Sequence, residues 1–105
     1  MSETVRLCGV GDLESGQARR YDVGGRRIAL VRTGDEFHAV DDRCSHEDFS
    51  LAEGEVFVTE REIECDRHGS TFDLLTGNPC SLPATQPVAV YEVVVKDDDV
   101  CVVLP

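Results

Sequence analysis

The sequence holds no apolar run that approaches the roughly 20 residues needed to cross a membrane. Its first residues, Met1-Ser2-Glu3-Thr4-Val5-Arg6, are charged and lack the apolar stretch of a secretion signal. Basic side chains are scarce: ten Lys and Arg stand against twenty-one Asp and Glu, for a formal charge of −11. Phosphate backbones demand basic patches, so nucleic acid is not an expected partner, and basic protein surfaces are favoured instead. Lys96 is the lone lysine beside nine arginines, a bias that points to a GC-rich genome. Histidine is scarcer still, with only His38, His46 and His68. Internal repeats, low-complexity stretches and linkers are absent.

What is present is one domain's worth of chain. At 105 residues it can bury a modest core but has no room for a second catalytic module. Five cysteines without a secretion signal argue against a disulfide framework, and a soluble cytoplasmic protein is expected.

Alternation and turn residues predict strands with almost no helix, at 5–8, 19–23, 26–32, 37–40, 88–95 and 100–104. Gly24-Gly25 signals a two-residue hairpin, since glycine tolerates the positive φ such turns require. Thr33-Gly34-Asp35-Glu36 marks the next turn. Asp97-Asp98-Asp99 marks another; without further oxygen ligands at fixed spacing it reads as a solvated turn and not a calcium loop. Asp12 is expected to cap a single helical turn over 12–16. Ile28 and Leu30 share one face. Cys8 and Cys101 lie inside strands as small buried apolar groups, and His38 is placed on a strand surface. Short strands at 55–58, 62–64 and 71–73 fall between the two ends of the chain, which implies a base of antiparallel sheets with paired termini and an inserted segment.

The inserted segment carries the chemistry. Cys44-Ser45-His46 is followed by eighteen residues and then Cys65-Asp66-Arg67-His68, two mixed Cys/His pairs with metal-ligand character. Four such ligands satisfy a structural zinc ion, yet zinc modules more often pair Cys with Cys and His with His. The mixed pairs resemble the Rieske [2Fe-2S] motif, in which two thiolates hold one iron and two imidazoles the other. Two ferric ions, two sulfides and two thiolates carry a formal charge of zero, whereas four thiolates would leave −2, so the His-ligated type accepts an electron more readily. His68-Gly69-Ser70-Thr71-Phe72-Asp73, Thr76-Gly77, Pro79 and Pro83-Ala84 resemble the second cluster loop and proline loop of bacterial Rieske-type ferredoxins. The resemblance covers the whole chain.

That resemblance implies an all-β Rieske fold: an antiparallel β-sandwich base of residues 1–42 and 83–105, with a rubredoxin-like cluster-binding subdomain of 43–82 inserted. It implies one [2Fe-2S] cluster per chain, with Cys44 and Cys65 on the inner iron and His46 and His68 on the outer iron toward solvent. Gly69 fits a close passage of backbone beside the cluster. Membrane-tethered Rieske proteins carry a disulfide between their ligand loops, at positions matched here by Phe49 and Arg67, so the chain groups with the ferredoxins. Cys80 lies in the proline loop near the expected cluster, but four ligands already complete both irons, and it reads as a half-exposed thiol. Rieske oxygenases add a mononuclear iron held by two His and a carboxylate; His38 alone cannot supply it, so the chain relays electrons and is not itself an enzyme.

In the high-potential branch a serine and a tyrosine supply hydroxyls near the cluster. Here Ser70 is kept and Phe72 replaces the tyrosine. Asp41, Asp42, Glu47, Asp48 and Asp66 add negative charge near the ligands, relieved in part by Arg43 and Arg67. The expected potential is about −150 mV, the low end of the Rieske range. Titratable outer imidazoles predict a potential that is flat near neutral pH and falls at alkaline pH.

The leading functional reading is a one-electron carrier between a flavin-dependent NAD(P)H ferredoxin reductase and a terminal ring-hydroxylating oxygenase. Glu47, Asp48 and Asp66 are candidates for the contact zone or simply aids to solubility. An alternative is a Rieske ferredoxin of iron-sulfur cluster assembly or of another reductase, suggested by residues 50–55 and 82–87. The small subunit of assimilatory nitrite reductase shares the fold but often lacks the ligands. A zinc-held interaction module is the third reading.

Overall fold

The computed structural model describes residues 3–44, 50–65, 70–80 and 86–104. Among the described residues, nine strands form two antiparallel sheets. The larger contains β1 (Glu3–Gly9), β2 (Ala18–Val23), β3 (Arg26–Thr33), β4 (Glu36–Asp41), β8 (Val90–Lys96) and β9 (Asp99–Leu104), in the order β1-β9-β8-β4-β3-β2. The smaller is β5 (Val56–Phe57), β6 (Glu62–Glu64) and β7 (Thr71–Asp73), all drawn from the stretch between β4 and β8. Both ends of the chain meet in the larger sheet, where Glu3 pairs with Leu104.

Tight turns set the register of the base. Gly24 and Gly25 take φ of 56° and 79°, as the β2–β3 hairpin demands, and Gly34 takes 61° between β3 and β4. Asp97 and Asp98 adopt positive φ between β8 and β9, a conformation aspartate tolerates better than most residues. The aspartate run is therefore a two-residue turn, with Asp99 already in strand. β4 and β8 join only through Ala39–Tyr91 and Val40–Val90, so the larger sheet consists of two halves hinged at a short seam. The halves fold over one core of Ile28, Leu30, Ala39, Tyr91, Val100, Val102 and Cys8, which gives the sandwich-like base.

β3 is the central layer of the molecule. Ile28 and Leu30 face that core, whereas Ala29 and Val31 belong to a second apolar cluster with Val40, Cys44, Leu51, Ile63, Cys65, Phe72, Leu74 and Val88. All four β3 residues have no exposed surface. A strand covered on both faces needs a continuous apolar run, and Ile28-Ala29-Leu30-Val31 is that run.

Several expectations are corrected. His38 is 6% exposed and not on the surface, because its face of β4, shared with Val40, lies under the small sheet. Its Nε2 lies 2.8 Å from Thr33 Oγ1. Asp12 does not start a helical turn: it ends a 3₁₀ turn at Val10–Asp12, and its carboxylate accepts a hydrogen bond from the Gly9 N–H at 2.8 Å. Cys8 is buried as expected, but Cys101 is only half-buried. β8 begins at Val90 and not at Val88, whose N–H donates instead to the Gly77 carbonyl at 2.9 Å. Of the 55–58 segment only Val56–Phe57 is strand.

Candidate metal centre

Two backbone pairings form the necks that flank residues 45–49 and 66–69 of the sequence. Arg43 and Ser50 form an antiparallel bridge at the first. At the second, the Cys65 N–H donates to the Ser70 carbonyl at 2.6 Å. Cys44 lies just inside the first neck and Cys65 at the second, 1% and 0% exposed, in the same apolar cluster. Both sulfurs are buried, and Ser70 beside the second is fully buried. His46, His68 and Gly69 lie outside the described residues, as do Glu47, Asp48, Phe49, Asp66, Arg67, Pro83 and Ala84.

The first neck is tied by a residue that sequence reading counted only as a nearby charge. Asp42 has no exposed surface. Its Oδ1 accepts hydrogen bonds from the Ser50 hydroxyl at 2.8 Å and the Ala52 N–H at 2.9 Å, and its carbonyl accepts the Leu51 N–H at 2.6 Å. Behind it, the Asp42 N–H donates to the Arg27 carbonyl at 2.9 Å. The only advance signal was an aspartate two residues before a cysteine, with a serine further along the loop.

The second loop rests on the small sheet, and two glycines let the surrounding turns approach it. A Cβ on Gly54 would lie 1.6 Å from the Glu64 carbonyl oxygen, one residue before Cys65. Only glycine allows that contact. The 3₁₀ turn Leu51–Glu53 therefore presses directly on the end of β6 and buries Leu51 beside the thiols. Gly77, at φ 78°, would place a Cβ 2.1 Å from the Val88 carbonyl. Asp73 organises the same corner, its Oδ1 accepting the Leu75 and Thr76 N–H groups at 2.7 and 3.1 Å. Pro79 bridges to Phe72, and the Cys80 N–H donates to the Thr71 carbonyl at 2.7 Å, so the entry to the proline loop is stitched to β7.

Phe72 is completely buried in this cluster. Cys80 is exposed, and its thiol is pushed up by partial burial and then by Glu62, the opposite of the shift that makes a reactive thiolate. The His38 imidazole is held below its usual range by burial, partly offset by Glu36. A cleft of about 240 Å³ lined by Asp41, Arg43, Cys44, Pro87, Val88 and Ala89 runs beside the first thiol. Among the described residues, no helix is long and apolar enough to cross a membrane.

These features define an all-β scaffold that presents two buried thiols at the necks of two loops, each loop carrying a histidine in its sequence. The chain belongs to the Rieske [2Fe-2S] domain family, whose model matches residues 3–92. It is 41% identical over 101 residues to the 3-phenylpropionate/cinnamic acid dioxygenase ferredoxin subunit of Escherichia coli (strain K12), covering 96% of this chain and 93% of that one. The ferredoxin of carbazole 1,9a-dioxygenase from Nocardioides aromaticivorans IC177 superposes with a TM-score of 0.92 at 36% identity, covering 94% of this chain and 95% of that one. A chain in the solved complex of reduced oxygenase and oxidized ferredoxin in carbazole 1,9a-dioxygenase gives 0.87 at 40% identity, covering 93% and 99%. Family membership decides against the zinc reading. The cofactor of the family is a [2Fe-2S] cluster. The described donor set fits its sulfur-ligated end, which needs two cysteine sulfurs shielded from water.

Proposed function

We propose that this protein is a one-electron carrier that holds one [2Fe-2S] cluster through Cys44, His46, Cys65 and His68. The observation that carries the reading is the pair of buried cysteine sulfurs at two loop necks within one apolar layer. Cys44 and Cys65 would hold the inner iron, and His46 and His68 the outer one. When bound, the cluster accepts and returns a single electron. The chain's own part is to hold the sulfurs in place, exclude water from them through Leu51, Ile63, Phe72 and Leu74, and leave the histidine loops as the route of exchange. The division into a base of residues 1–42 and 83–105 and a cluster-binding subdomain of 43–82 belongs to the same reading.

Its electron source is a flavin-dependent NAD(P)H ferredoxin reductase and its acceptor a terminal oxygenase. Kinship with dioxygenase ferredoxins, one of them solved together with its oxygenase, supports the acceptor. Cysteines that form no disulfide among the described residues accord with a cytoplasmic setting. The charge of −11 suits brief encounters with basic docking surfaces, with Glu47, Asp48 and Asp66 in the contact zone. Reconstituted protein should take electrons from such a reductase and pass them to a Rieske oxygenase, more slowly as salt rises. Its midpoint should be near about −150 mV and fall at alkaline pH. A strongly positive midpoint, or failure to support oxygenase turnover, would contradict the reading.

A further inference from the structure

We propose that Asp42 is the positioning residue of the first cluster loop, and that its buried negative charge lowers the affinity of the centre for an electron. The proposal rests on the cluster-carrier reading above and adds to it a residue outside the ligand set.

Three observations converge on Asp42. It is fully buried two residues before Cys44, in a protein whose other acidic groups lie mostly at the surface. One carboxylate oxygen joins the two sides of the loop neck, accepting from Ser50 and Ala52. The other, Oδ2, has no hydrogen-bond partner among the described residues, and the Arg20 Nε stands 3.9 Å from it. Arg20 is itself drawn outward, donating to Asp22 at 3.0 and 3.4 Å.

A neutral side chain of the same shape would hold the neck with less desolvation cost, since a buried charge that is only partly paired is expensive. A carboxylate provides two things that an amide does not. It accepts the two neck hydrogen bonds as stronger, charge-assisted contacts. It also places a fixed anion in the buried neck two residues before Cys44, where low polarity lengthens its reach. A unit charge about 12 Å away at an effective dielectric of 20 changes an electron-uptake equilibrium roughly tenfold, about 59 mV for a one-electron couple. Surface acids act through water and ions and shift it far less.

The test compares Asp42→Asn, Asp42→Ala, Ser50→Ala and the surface control Glu60→Gln, each as reconstituted full-length protein, by iron and sulfide content, dye-coupled redox titration and the rate of iron release to a chelator. Asp42→Asn should load its cluster and gain about tenfold in the reduction equilibrium, while Glu60→Gln, which removes the same formal charge, stays within twofold of the parent. Asp42→Ala should release iron at least fivefold faster. Should the Asp42 variants fail to fold, Ser50→Ala keeps the test open, with a predicted twofold or greater rise in release rate. A parent-like potential in Asp42→Asn, or an equal shift in Glu60→Gln, overturns the electrostatic role. Parent-like release in both Asp42→Ala and Ser50→Ala overturns the positioning role. Absence of cluster in the parent itself would instead overturn the carrier reading.

Discussion

The two sheets of this molecule solve opposite problems. The strands of the base run six to eight residues and are fixed by tight turns with glycine or aspartate at positive φ, so the sequence of each hairpin nearly specifies its own pairing. The strands of the small sheet run two to three residues, too short to stand alone. Their order comes from elsewhere: from Ala29, Val31 and Val40 on the outer face of the base, and from glycine-permitted contacts at Gly54 and Gly77. The base thus carries a small sheet that packs against its outer face.

The sharpest way to separate the two regions is to remove a proposed ligand. Cys65→Ser should abolish cluster loading, seen as loss of iron, sulfide and visible absorption, while the base strands persist by far-UV circular dichroism. Gly54→Ala comes next. With a Cβ forced against the Glu64 carbonyl, it should cost about 3 kcal/mol and lower cluster occupancy, measured by thermal melting and iron content together. Paired core truncations then test the asymmetry: Leu30→Ala should destabilise the whole protein by about 2–5 kcal/mol, whereas Ile63→Ala should release the cluster at temperatures where the base is still folded. Coincident loss of both signals in Ile63→Ala would show that the regions unfold as one.

A smaller effect is expected from pH. Burial holds the folded-state pKa of His38 below the ordinary 6.5, so the unfolded chain binds the extra proton first. The contribution of this residue is fully present above about pH 6.5 and is lost as pH falls from there toward the depressed folded value; His38→Gln should flatten that limb of a stability profile. The smallest effect belongs to the Arg61–Glu36 ion pair, 2.6 Å long but exposed, which links the small sheet to the base. Removing it should leave the melting temperature within error at physiological salt.

The same contrast explains what could be read from the sequence. Gly24-Gly25, the apolar run of β3 and the aspartate turn are local patterns, and they placed the base strands well apart from a residue or two at their ends. The two Cys/His pairs stand out in the sequence because their spacing is itself the signal, and the structure buries the cysteine of each in one cluster. His38 was misplaced because a strand read alone shows an outer face that looks solvated, and the layer covering it comes from residues 51–74, distant in sequence. Asp42 looked like one more surface acid for the same reason, and nothing local announces that its carboxylate ties Ser50 and Ala52 across a loop neck. Gly54 carries no turn signal of positive φ; its necessity arises from a neighbouring strand pressing on it.

The most direct test of the mixed ligation is pulsed EPR on the dithionite-reduced, reconstituted protein. A single paramagnetic centre coupled to two imidazole nitrogens, with the nitrogen couplings lost in His46 and His68 variants, is the predicted result. A reduced centre without nitrogen coupling, or no paramagnetic signal at all, would contradict it.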